Sequence, residues 1–172
     1  MKFFWLIVIA VVISLIQVVI LPLNSFWVNL NLILILICSV FLLFGTYPAL
    51  IVTCVSGLIL DYYSSNFMGS HIIILLVCFL LVKLLYQNLF TDFSFYSALI
   101  LTFLATITYR VCWWLLLIIN NFWSQYKFTE PLKLLFNVSF LYTIILNLMG
   151  MTIFYVSVVF ITKRFNTVFL RK

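Results

Sequence analysis

From Phe3 to Leu21 the chain runs without one charged side chain, and comparable runs recur along its whole length. In water such a segment would need burial on every side. In a bilayer, about 20 apolar residues make one helical crossing, with each backbone N–H and C=O satisfied inside the segment. Composition removes the soluble alternative: 67% of residues are hydrophobic and 7% charged, against roughly 45–50% and about 25% in a soluble domain. The same figures exclude a disordered chain, which needs low hydrophobicity and high charge. A closed barrel also satisfies its backbone in lipid, but its strands alternate polar and apolar residues, and these runs do not. The expected fold is an all-α integral membrane protein, a single transmembrane domain over residues 1–172.

The first run, Phe3 to Leu21, stops at Pro22. It exceeds the h-region of a signal peptide, about 7–15 residues, and no small-x-small cleavage site follows. The second run is Leu30 to Phe44 and the third Pro48 to Leu60, ending at Asp61. Gly45-Thr46-Tyr47-Pro48 between them reads as a tight turn with Pro at a first helical position. A single kinked helix from Leu30 to Leu60 is too long for one crossing. The fourth, fifth and sixth runs are Ser70 to Leu85, Phe95 to Ile119 and Val138 to Ile161, with a polar connection from Asn120 to Lys133.

Charge favours a bundle of six transmembrane helices with both termini cytoplasmic. Lys2, Lys83, Lys163, Arg164, Arg171 and Lys172 then lie inside and only Lys127 and Lys133 outside. The net charge of +6 is thus read as an orienting anchor and not as a nucleic-acid surface, which needs clustered bases on an exposed face. Trp5, Tyr47, Tyr86 and Tyr96 fall at the inner boundary, and Trp27, Tyr62, Tyr63, Trp123 and Tyr126 at the outer one, as interfacial rings do. The halves show no inverted repeat, which weakens a secondary-transporter reading. Cys38, Cys54, Cys78 and Cys112 lie inside apolar runs without a C-x-x-C pair or metal-ligand spacing, and read as packing residues. No cofactor is expected.

Polar residues inside lipid are costly, so Asp61, His71 and Arg110 carry the functional information. The third helix carries Ala49, Thr53, Gly57 and Asp61 at four-residue spacing, and the fifth Ala98, Thr102, Thr106 and Arg110. Small residues so spaced let helix backbones approach closely. At ~1.5 Å per residue, Asp61 and Arg110 both sit roughly 21–23 Å above the inner ends of their helices. One arrangement that follows packs the third helix on the fifth, with Asp61 paired to Arg110 and His71 joining them. The competing arrangement leaves Asp61 in a wet loop while Arg110 snorkels to the headgroups. Gln17, Thr143 and Asn147 are of the type that hydrogen-bonds between membrane helices. Chemistry finds little footing. There is no G-x-S-x-G, H-E-x-x-H or paired-carboxylate motif, and Asp61, His71 and Ser64, Ser65 or Ser70 are triad types common in any polar loop.

Asn29-Leu30-Asn31-Leu32 enters the second helix, Gly57-Leu58-Ile59-Leu60-Asp61 ends the third, and Ser64 or Ser65 followed by Gly69-Ser70-His71 leads into the fourth. In this order, with a basic C-terminal tail, the chain resembles the bacterial rod shape-determining protein MreD family. The motifs cover Asn29 to His71; beyond them the likeness is in hydropathy and length. The resemblance implies a non-enzymatic inner-membrane scaffold of the cell-wall elongation machinery. Its implied partners are membrane lipids, an MreC-type membrane protein, the MreB filament, RodA and a class B penicillin-binding protein. The family is similar in fold to the substrate-binding S-components of energy-coupling-factor vitamin transporters. Those generally carry Ala-x-x-x-Ala in the first helix, where this chain has Ala10 and Ser14. An S-component-type uptake subunit is therefore the alternative, and it requires an outward cavity of about 300–1,000 Å³.

Overall fold

The computed structural model describes residues 2–24, 27–64, 68–89, 94–124 and 138–169. They form α1 (Lys2–Leu15), α2 (Leu32–Phe44), α3 (Thr46–Tyr63), α4 (Ser70–Leu89), α5 (Phe95–Ser124) and α6 (Val138–Phe169), with no strand among the described residues. Four segments are long and apolar enough to cross a membrane: Phe4–Leu23, Ser70–Asn88, Phe95–Ile119 and Ser139–Phe160. The elements thus begin and end near the apolar runs, with α5 and α6 continuing past them.

α2 is the centre of the bundle. It touches each of the other five helices, and every residue from Ile33 to Phe41 is buried. A helix that is apolar all round has no face for water and is stable only when enclosed. α2 is also short. Its 13 residues span about 20 Å, less than the ~30 Å of a bilayer's hydrocarbon core. A short rod inside longer ones leaves at least one end below the rim, and this determines where the polar residues gather.

Local chemistry explains the joints. α1 passes into a π-helical turn at Ile16–Ile20 and a 3₁₀ turn at Leu21–Leu23. Pro22 has no N–H to return to the Val18 carbonyl, and its ring crowds that carbonyl, so the regular helix cannot continue. Gly45 alone joins α2 to α3: its N–H donates to the Phe41 carbonyl at 3.0 Å. Its φ of 87° is a conformation that side-chain-bearing residues rarely adopt. Helix α3 begins at Thr46, two residues before Pro48, which still sits in the first turn where no intrahelical donor is needed. Further along, Phe41 meets Phe79 and Tyr86 edge-on at 6.1 and 5.4 Å, tying α2 to α4.

The packing of α3 departs from expectation. α3 lies against α4, α2 and α1, while α5 lies against α4, α6 and α2. The two small-residue stripes do not form a shared interface of any extent, because α4 and α2 pack against both helices. Ala49, Thr53, Gly57, Ala98, Thr102 and Thr106 are all buried, as close approach requires, but against other neighbours. A β-carbon on Gly57 would lie 2.8 Å from the Ile72 Cα of α4, and the Cys78 thiol of α4 points at the Ala105 carbonyl of α5, 3.8 Å away. On α6, Gly150 makes room for the tip of Ile35 of α2.

Candidate functional site

Asp61 is one of three acidic residues in the chain; Asp92 and Glu130 lie outside the described residues. It occupies the last turn of α3 and is buried, so it is not the wet helix end that one reading expected. Its Oδ1 accepts from the His71 N–H at 2.8 Å and its Oδ2 from the Ile72 N–H at 3.2 Å. Those are donors of the first turn of α4, which have no partner within their own helix. The Ser70 hydroxyl reaches Oδ1 at 3.4 Å. The His71 Nδ1 lies 3.1 Å from the same oxygen, and donates to it when that nitrogen carries the proton. Gly69, at φ 96°, supplies the carbonyl that accepts the first helical bond, from Ile73 at 3.0 Å. A carboxylate on one helix thus caps the next, combining orphan-donor satisfaction with a negative charge at the positive end of the helix dipole.

The ionisable side chain shown against Asp61 is His71, whose Nδ1 lies 3.1 Å from Oδ1. The acid is satisfied locally. Gly57 brings the backbones of α3 and α4 together one turn before Asp61, so the nearest donors to its carboxylate are α4's own.

The start of α2 is capped in the same manner, from two other helices. Asn31 is the N-cap, and its Oδ1 accepts from the Leu34 N–H at 3.3 Å. The π-helical turn presents Gln17, whose Oε1 accepts from the Ile33 N–H at 2.9 Å and whose Nε2 donates to Asn31 Oδ1 at 3.1 Å. Asn147 of α6, fully buried, accepts from the Asn31 N–H at 2.8 Å and donates to the Thr106 hydroxyl at 3.1 Å. That hydroxyl in turn donates a hydrogen bond to the Thr102 carbonyl at 2.8 Å. Every member of this chain from α1 to α6 is paired, which buried polar networks require. The apolar run was read from Leu30, whereas the helix starts one residue after the Asn31 cap. The linkage of Gln17 and Asn147 to that cap was not legible, since it depends on helices distant in sequence.

A cavity of about 210 Å³ lies over the start of α2. Gln17, Asn29 and Asn31 line it on one side, with His71 of α4, Arg110 and Trp113 of α5, and Thr143 and Asn147 of α6 on the others. The His71 and Trp113 rings lie 5.1 Å apart, inclined at 44°. Arg110 is half-buried and forms part of this wall. The structure thus gathers Asn29, His71 and Arg110 around one space, with Asp61 behind His71. Gly69 sits at the mouth of α4. Lys127, Lys133, Tyr126, Ser65, Arg171 and Lys172, which entered the topology and motif readings, lie outside the described residues.

No protein-family model, no curated protein and no solved structure matches the chain.

Proposed function

We propose that this protein is a non-enzymatic membrane scaffold of the MreD type, which positions the cell-wall elongation machinery by holding the transmembrane segment of an MreC-type partner. The observation that carries the reading is the use made of the motif residues. Gly57 sets the approach of α3 to α4, and Asp61 caps α4 through Ser70, His71 and Ile72. The residues on which the resemblance rests are engaged in building a rigid pair of helices, so their role is architectural. A carboxylate accepting this many bonds has little capacity left as a general base.

The outer faces suit a docking role. α5 and α6 leave a groove of about 400 Å³ between them, lined by Leu99, Ile100, Phe103, Ile145, Leu148 and Met149. Its wall is almost wholly apolar, and a helix without charges fits such a surface in lipid through van der Waals contact. Chain depletion in a rod-shaped host, followed by co-purification after mild solubilisation, tests the proposal. Rounding of the cells and recovery of a bitopic partner that crosslinks to photoreactive residues at Phe103 or Met149 are the expected results. Normal rods on depletion, or no bitopic partner, would refute it.

The uptake-subunit reading has one observation in its favour, the polar cavity above α2. Its 210 Å³ is below the ~300–1,000 Å³ of typical small-molecule sites. Several of its polar groups are also already committed to capping α2, which places this reading second.

A further inference from the structure

We infer that the cavity over the start of α2 binds a small uncharged hydroxylated group, a sugar ring or a polyol, a role that lies outside the scaffold reading and does not depend on it. The capping groups take no part: Gln17, Asn31, Thr106 and Asn147 are paired with one another and with the first turn of α2. Arg110 is engaged by an interaction of its own. A second set of polar groups stands in the same wall: the Asn29 amide, the Tyr109 hydroxyl, Trp113 Nε1 and His71 Nε2. Among the described residues none of these four has a hydrogen-bond partner. Nor are they sealed in, as the unpartnered Ser56 hydroxyl and Trp114 Nε1 are.

His71 is the most constrained of the four. The residue is 8% exposed, its Nδ1 lies 3.1 Å from Asp61 Oδ1, and its ring lies 5.1 Å from that of Trp113. A carboxylate only accepts, so the contact with Asp61 places the proton on Nδ1 and leaves Nε2 of the neutral ring as an acceptor. Asp61 of α3 and Trp113 of α5 thus fix the ring before any ligand arrives, which lowers the cost of ordering it on binding.

Size and chemistry narrow the ligand. The volume of 210 Å³ is roughly seven times the ~30 Å³ share of one water, room for one sugar ring or a three-carbon polyol but not for a vitamin-sized molecule. The open set combines an acceptor at His71 with a donor at Trp113, and Tyr109 and Asn29 serve as both. The Thr143 hydroxyl donates to the Ser139 carbonyl at 2.9 Å and keeps its lone pairs. Hydroxyl groups, each donor and acceptor at once, complement such a set, whereas an ionised carboxylate or phosphate has no proton to give the His71 acceptor. The Trp113 indole adds apolar surface for the C–H groups of the ligand. In a bundle that crosses a bilayer the first turns of α2 and α4 lie toward one rim, within reach of dissolved solutes and lipid headgroups alike. A free sugar and the sugar headgroup of a glycolipid therefore offer the same chemistry.

The test uses the full chain, purified in a detergent without a sugar headgroup and placed in phosphatidylcholine nanodiscs. Glucose and glycerol are the soluble probes, titrated by saturation-transfer difference NMR. Monoglucosyldiacylglycerol is the lipid probe, read as the shift in thermal midpoint against the same fraction of diacylglycerol. A response to the soluble probes alone assigns the site to a free solute, to the glycolipid alone to a headgroup, and to both to the hydroxylated group as such. Tyr109→Phe removes one hydroxyl, and His71→Asn removes Nε2 while keeping an N–H for Asp61. Each should weaken the apparent affinity roughly three- to tenfold. Thr143→Phe fills the cavity without touching either cap, since the Thr143 hydroxyl bonds only within α6, and it should abolish the response. The midpoint of each variant without probe shows that it is folded. Absence of a response to all three probes, or a response that the three variants leave unchanged, overturns the inference.

Discussion

At the scale of single residues, the bundle depends on a few polar side chains that act on the backbone of a helix other than their own. Asp61 is the strongest case, because its bonds are charge-assisted and buried. Replacing it by Ala leaves the His71 and Ile72 N–H groups without acceptors and should cost about 3–5 kcal/mol. Asp61→Asn keeps one acceptor and should cost roughly half as much; thermal unfolding in detergent separates the two variants. A double-mutant cycle distinguishes the partners. Asp61→Asn with His71→Gln should couple by about 0.5–3 kcal/mol, and the same cycle with Arg110→Gln measures whether the guanidinium is also coupled to the acid. Asn147 belongs to the same class: Asn147→Leu strands the Asn31 N–H and should cost about 1–3 kcal/mol. Asn147→Asp retains that acceptor and should be milder, read as the order of midpoints in one unfolding series.

At the scale of elements, the two informative glycines work by different physics. Gly57 is needed for space: a β-carbon would stand 2.8 Å from backbone of α4, where nothing flexible can yield. Gly57→Ala should therefore cost about 1–3 kcal/mol through overpacking. Gly45 is needed for its torsion: no atom lies within 4 Å of a β-carbon there, but φ is +87°. Gly45→Ala should cost about 1–3 kcal/mol, and Gly45→Asn about as much, because ψ of −166° places the residue in a region essentially restricted to Gly. At Gly57 the cost should instead rise with the size of the side chain, and paired melting curves check it. The element scale is also where the sequence was most readable. Apolar runs, Pro22 and Gly45 located the helices, since these signals act within a turn or two of the chain. Which helix met which was not readable. Four-residue stripes on α3 and α5 state only that something packs closely, and α4 and α2, whose apolar surfaces carry no comparable mark, turned out to be their neighbours. The encounter of Asp61 with His71 was partly legible, because the acid and the start of α4 are close in sequence. That of Asn31 with Asn147 was not, since 116 residues separate them.

At the scale of the molecule, one enclosed short helix is surrounded by five others, and three of these keep broad apolar faces outward. Phe4, Trp5 and Val12 on α1, Leu115 and Ile119 on α5, and Ile153 and Phe160 on α6 are all exposed. If all six helices cross the bilayer, both termini share one side. Reporter fusions to each end should then give the same compartment signal, and opposite signals would require an odd number of crossings. The interlocking of caps also bears on how the chain comes into being. α2 leaves the ribosome early, yet one of its first-turn donors finds its acceptor on α6, the last helix made. Until that helix arrives, the centre of the protein carries an unmet polar group in the least forgiving solvent a cell contains. Premature termination before Asn147 should therefore yield fragments that quality-control proteases remove, even though most of the helices are already complete.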